Sequence, residues 1–260
     1  MNRFILAGLL LSAASGVFAE IKMETIEYKQ GDTVCEGFLA YDDSISGPRP
    51  GVLVVHDWMG NGAFSQKKIQ DLAALGYAAF AADIYGKGQR PKDASEAAQY
   101  AGKYRGGDRA LLRARVNAAF DTFKIIPKVD PSRIAAMGFC FGGTTVLELA
   151  RSGAPVIGTV TFHGGLSTSA PGDAKNIKGK VLALHGADDP FVKDAEVLAF
   201  QQEMRDAKVD WQFVSYGNAV HGFTNPAAGT DNSKGAAYNQ KADTRSWAAM
   251  RAFFDEIFAK

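Results

Sequence analysis

The chain is 260 residues long, 47% of them hydrophobic, and its 29 Lys and Arg against 28 Asp and Glu leave a formal charge of +1. So even a balance gives no electrostatic case for a nucleic-acid or acidic-lipid partner, while the apolar share supports a sizeable core. The two cysteines are too few for a disulfide framework and lack the spacing of a metal site.

The N-terminus, "MNRFILAGLLLSAASGVFAE", has a positive charge at Arg3, an apolar run from Phe4 to Leu11, and small residues ending in Val17-Phe18-Ala19. These are the three regions of a secretory signal peptide. Residues 1–19 are expected to be removed after Ala19, so that the mature chain starts at Glu20 and works outside the cytoplasm, in a periplasm. The apolar run is far shorter than the ~20 residues of a spanning helix, so no membrane association is expected after cleavage.

The next stretches, "METIEYKQ" and "VCEGFLAY", read as strands with no helix between them and predict an antiparallel edge. Cys35 alternates within the second and reads as a strand residue rather than as a disulfide partner of Cys140. From there strand and helix alternate. Strand-like runs are "GVLVVHD", "YAAFAADIY", "RIAAMGFC", "VIGTVTFHG", "KVLALHG" and "VDWQFVSYG"; several are continuously apolar, as strands buried on both faces are. The helical stretches are "SQKKIQDLAALG", "DRALLRARVNAAFDTF", "GTTVLELARSG", "DAEVLAFQQEMRDA" and "RSWAAMRAFFDEIFA", each apolar at three- and four-residue spacing. The pattern predicts an α/β class: a mostly parallel sheet with helices on both faces, in one domain over residues 20–260. Between them, "GKGQRPKDASEAAQYAGKYRGGDR" is charged and glycine-punctuated, and reads either as solvated surface or as a lid. Trp211 and Trp247 read as core or interface fillers.

Chemistry concentrates at Gly138-Phe139-Cys140-Phe141-Gly142, a strand–turn–helix corner. This is a nucleophile elbow with cysteine in the serine's place: flanking glycines permit a tight turn that lifts the middle side chain clear of the sheet. The start of the following helix favours a negative charge there. Of the four histidines, His56, His163, His185 and His221, only His221 follows Cys140 with an acid-bearing loop and a further strand between. It is the candidate general base; His163 and His185 end strands and read as hydrogen-bonding residues. The acid belongs on the loop after "KVLALHG", where Asp188 and Asp189 are both available.

With "GFCFGG" at the elbow, "HGADDPFV" at the acid, "HGF" at the histidine and "VVHDWMG" ahead of the first helix, the chain resembles the dienelactone hydrolase family. The resemblance implies an α/β-hydrolase fold and a cysteine-dependent hydrolase of small esters or lactones, needing no cofactor or metal, as a monomer or small homo-oligomer. It makes Asp189 the acid, beside Cys140 and His221, and assigns the oxyanion hole to the backbone N–H groups of Trp58 and Phe141. It also marks departures. Asp57 stands where those enzymes carry a glutamate that controls the cysteine's protonation. Lys87 and Asn225 stand where they carry two arginines that grip a substrate carboxylate. Tyr85 is a further candidate ligand contact or a packed strand-end residue. Rival expectations are a ligand-binding protein without turnover and a thiol-redox protein using Cys35 and Cys140, though no C-x-x-C is present.

Overall fold

The computed structural model describes residues 20–259. The leader reading of residues 1–19 lies outside them. Strands β1 (Ile21–Gln30) and β2 (Thr33–Asp42) form an antiparallel hairpin at one edge, as their uninterrupted alternation predicts. β2 also runs antiparallel to β4 (Ala78–Ala82). All remaining pairings are parallel: β3 (Arg49–Val55), β5 (Val129–Phe139), β6 (Gly158–Phe162), β7 (Lys180–Gly186) and β8 (Trp211–Tyr216). The eight strands lie in the order β1-β2-β4-β3-β5-β6-β7-β8.

The continuous apolar runs are buried on both faces because successive side chains point to opposite sides. Leu53 and Val55 of β3 pack toward α2 (Ala94–Arg105), α3 (Ala110–Phe123) and α4 (Phe141–Arg151). Val52 and Val54 pack the other way, toward α1 (Ala63–Ala74) and α6 (Gln240–Phe258). α5 (Asp194–Asp206) covers Val181 and Ala183 of β7 with Phe200 and Met204. Each such fully buried aliphatic or aromatic side chain contributes roughly 1.5–3 kcal/mol. Trp211 fits the filler expectation, half-buried against Phe200 with the Arg205 guanidinium over its ring.

The charged segment after β4 is not bare surface. It contains α2, started by the Asp93 side chain accepting from Glu96 N–H, while Glu96 Oε2 accepts from Lys92 N–H. Ala97, Ala101 and Tyr104, one helical face, are buried in the main core. The Asp-x-x-Glu cap was the available signal; the surrounding charge masked it.

Register decides where the chemistry gathers. Val55 pairs with Gly138 and Phe139 with Phe162, so β3, β5 and β6 end side by side. His56, Cys140 and His163 therefore emerge at one carboxyl edge, where the loops after β7 and β8 also arrive.

Candidate active site

The corner after β5 is as tight as its glycines imply. A Cβ on Gly138 would lie 2.1 Å from the Gly142 carbonyl oxygen, and one on Gly142 would lie 2.2 Å from that of Val55. Cys140 takes φ 52° and ψ −112°, a region that costs a non-glycine residue about 1–3 kcal/mol. That strain is held because Cys140 N–H donates to Phe162 O at 3.0 Å and α4 begins at the next residue. The thiol is half-buried at the start of that helix.

His221 arrives from the loop after β8, its backbone pinned between Gly235 O and Ala237 N–H. Its Nε2 lies 3.0 Å from Cys140 Sγ and its Nδ1 lies 2.8 Å from Asp189 Oδ2. The other oxygen, Asp189 Oδ1, accepts from the N–H groups of Phe191 and Val192, at 2.9 and 3.3 Å. Asp188, adjacent in sequence, is exposed. The two aspartates that spacing left open are thus separated by geometry. An ionised carboxylate only accepts, so Nδ1 of His221 carries a proton in either charge state, and Nε2, turned to the sulfur, is the nitrogen that gains or gives up the second proton. Burial disfavours an imidazolium here, but the flanking sulfur and carboxylate outweigh it and push His221 up to about 10.

The other candidates fall differently. His163 is buried beside His221, ring centroids 5.3 Å apart, with Nε2 at 2.8 Å from Thr224 Oγ1. Burial, reinforced by His221, holds it well below the usual histidine range. His185 is buried against Phe213 and is also depressed by burial. Cys35 is fully buried, 3.6 Å from an Arg115 guanidinium nitrogen, and both cysteines are free.

Three ligand-side readings meet the geometry in different ways. Lys87 does not face the thiol: its amine pairs with Glu27 and Glu36 on the β1–β2 hairpin. Two carboxylates on that hairpin draw it outward. Asp57 makes no hydrogen bond to Cys140. It accepts from Met59 N–H at 2.8 Å and from Asn225 Nδ2 at 3.4 Å, so its shorter side chain joins two loops instead. Burial raises its carboxyl above the usual range. Tyr85 is buried, and its hydroxyl donates to Trp58 O at 3.0 Å, so it packs at the strand end and braces that loop.

Among the described residues, the N–H groups of Trp58 and Phe141 donate to no protein acceptor. Trp58 and Met59 are part-exposed, and Phe191, 60% exposed, sets its ring edge-on to His221 at 5.5 Å. Sequence reasoning did not single out Phe191 or Met59. Their signal was an apolar residue within two positions of a candidate site residue.

This strand order, with a sharp corner after β5 and a His–Asp pair on the loops after β8 and β7, defines an α/β-hydrolase fold. The sequence profile of the dienelactone hydrolase family matches residues 35–258, and the chain belongs to that family. Among solved structures, a dienelactone hydrolase-like promiscuous phosphotriesterase from metagenomic libraries has a TM-score of 0.86 at 45% identity, over 93% of this chain and 100% of its own. A putative carboxymethylenebutenolidase of Synechocystis sp. is 25% identical over 259 residues, 90% of this chain and 97% of its own length. A probable 2-oxo-3-(5-oxofuran-2-ylidene)propanoate lactonase of Bradyrhizobium sp. is 26% identical over 188 residues, 69% of this chain and 75% of its own.

Proposed function

We propose that the protein hydrolyses small neutral esters or lactones by acyl transfer through Cys140. The observation that carries this reading is the unbroken contact from Cys140 Sγ to His221 and on to Asp189. His221 takes up the thiol proton, held in orientation by Asp189, and sulfur attacks the ester carbonyl. The oxyanion so formed is received by the Trp58 and Phe141 amides, a term of about 3 kcal/mol per donor. The C–O bond breaks, His221 returns the proton to the leaving alcohol, and a thioester remains. Water, deprotonated by the same histidine, attacks that thioester, and the carboxylic acid leaves as sulfur regains its proton. The exposed Phe191 ring against His221, and the outward turn of Lys87, favour uncharged substrates.

A second chemistry has a specific reason. The relative at 45% identity is described as a promiscuous phosphotriesterase, and a phosphotriester is likewise neutral with an electrophilic centre open to sulfur. The experiment is turnover of an aryl acetate, a small lactone and an aryl dialkyl phosphate by parent, Cys140→Ala and His221→Ala proteins. Cys140→Ala should abolish turnover, and His221→Ala should lower kcat by at least ~10³-fold. An inert parent would favour a ligand-binding role, and an active Cys140→Ala protein would remove the nucleophile assignment.

A further inference from the structure

Resting on that hydrolase reading, we propose that His56 is a positioning residue that aims and polarises the Trp58 amide toward the substrate oxyanion. His56 is the residue after β3 and is 1% exposed. Its Nδ1 lies 2.6 Å from Asp57 O, and its Nε2 lies 3.2 Å from Ile84 N. A carbonyl only accepts and a backbone N–H only donates. The two contacts therefore select one neutral tautomer, with the proton on Nδ1.

The consequence lies in the Asp57–Trp58 peptide. Its carbonyl and N–H point in opposite directions across one rigid plane. The Asp57 carbonyl is held by His56 Nδ1–H and, at 3.2 Å, by Gly60 N–H. The Trp58 N–H is thereby turned the other way, and it donates to no acceptor among the described residues. The following peptide is fixed as well, since Tyr85 O–H donates to Trp58 O. The His56 ring cannot swing, because it lies 4.8 Å from the Tyr85 ring, edge-on, and 5.7 Å from that of Phe141, stacked. Phe141 bears the other inferred oxyanion donor, so one imidazole is locked between the two halves of the hole.

The result is a chain: Ile84 N–H to His56 Nε2, His56 Nδ1–H to Asp57 C=O, and Trp58 N–H to the oxyanion. Hydrogen bonds in series polarise one another, by about 10–30% per bond, and each strengthens as charge develops at the far end. Aim matters more than polarisation, since an oxyanion donor acts only when it already points where the charge will appear.

Two substitutions separate aiming from mere support. The amide nitrogen of asparagine occupies the place of Nδ1, whereas the amide of glutamine reaches only the place of Nε2. His56→Asn should hold kcat for an aryl acetate within about tenfold of the parent. His56→Gln keeps an acceptor for Ile84 N–H but loses the clamp, and should lower kcat by ~10²-fold or more with KM within about threefold. On the parent protein, a ¹⁵N–¹H correlation of its histidines should show His56 neutral with hydrogen on Nδ1. That measurement stands even where a variant fails to fold. Equal kcat for the two variants in an active family of proteins, or a His56 proton on Nε2, would overturn the relay alone. A parent showing no Cys140-dependent turnover would overturn the hydrolase reading, and the relay's role with it.

Discussion

Lys87 and Asn225 illustrate how much a single side chain's surroundings decide. A bidentate arginine pair would orient a substrate carboxylate as well as attract it. Here the amine of Lys87 is satisfied by Glu27 and Glu36, and the Asn225 amide by Asp57. A solvent-reachable single ion pair supplies only ~1 kcal/mol or less. Neutral esters should therefore be turned over within about tenfold of their carboxylate-bearing analogues, equivalent to roughly 1.4 kcal/mol. Lys87→Met should leave kcat/KM for both classes within about twofold of the parent. Paired kinetics on one neutral and one carboxylate-bearing aryl ester would test both statements, and a thousandfold preference for the anion would refute them.

At the scale of elements, α4 holds the site from both ends. Its first turn carries the elbow, and its last turn is anchored in a buried charge cluster. Arg151 is fully buried and meets Glu203 of α5 through two nitrogens, each at 2.8 Å, and Glu148 at 3.1 Å. Arg109 and Arg113 complete Glu148 from α3 and its approach, and Arg109 also bonds Ser167 O in the loop after β6. Arg151→Leu would strand the buried carboxylate of Glu203, while Glu148 keeps Arg109 and Arg113. The expected loss is about 3–5 kcal/mol, read as a lower urea midpoint at unchanged m-value. Gly142→Ala attacks the other end, since its Cβ would meet Val55 O at 2.2 Å. It should abolish turnover, because α4 and β3 must separate to admit the methyl group and the loop bearing Asp57 and Trp58 moves with β3. An active Gly142→Ala enzyme would show that the corner tolerates more than its geometry allows.

The whole molecule carries its histidines as opposing pH terms. His56 is depressed by burial to about 4. In the unfolded chain it takes up its proton near pH 6.5, and in the folded one only near 4. Its stabilising contribution is complete above about 6.5 and is lost as pH falls toward 4, on the order of 3 kcal/mol in all. His163, depressed in the same sense, adds to the slope. His221, raised to about 10, works oppositely: its contribution is full below about 6.5 and declines as pH rises toward 10. Urea midpoints should therefore peak near neutrality, and His56→Asn should flatten the acid side. An acid slope unchanged by that substitution would mean that His56 titrates normally. Export belongs to the same scale. Expressed with residues 1–19 in a secreting bacterium, the protein should be recovered outside the cytoplasm with Glu20 first, as intact mass would show.

By itself the sequence determined the layered α/β plan, the antiparallel edge and the corner at Cys140. Each of these rests on contiguous residues: continuous apolar runs, helical periodicity, and glycines two positions either side of a thiol. The pairing of His221 with an acid lying between it and Cys140 was legible as an order along the chain, but spacing left Asp188 and Asp189 open, and only the family resemblance pointed to Asp189. Neighbouring aspartates differ only in which way the turn after β7 points them, and that turn is set by strand register. Tertiary structure alone also decided three other points. Lys87 turns outward because the β1–β2 hairpin brings two glutamates to it. The charged segment folds as α2 because Ala97, Ala101 and Tyr104 find a core to enter. The tautomer of His56 depends on Ile84, a residue 28 positions away that only sheet formation places against the ring. Local propensity is carried by neighbours in sequence, whereas a proton's position is chosen by whatever the fold packs beside it.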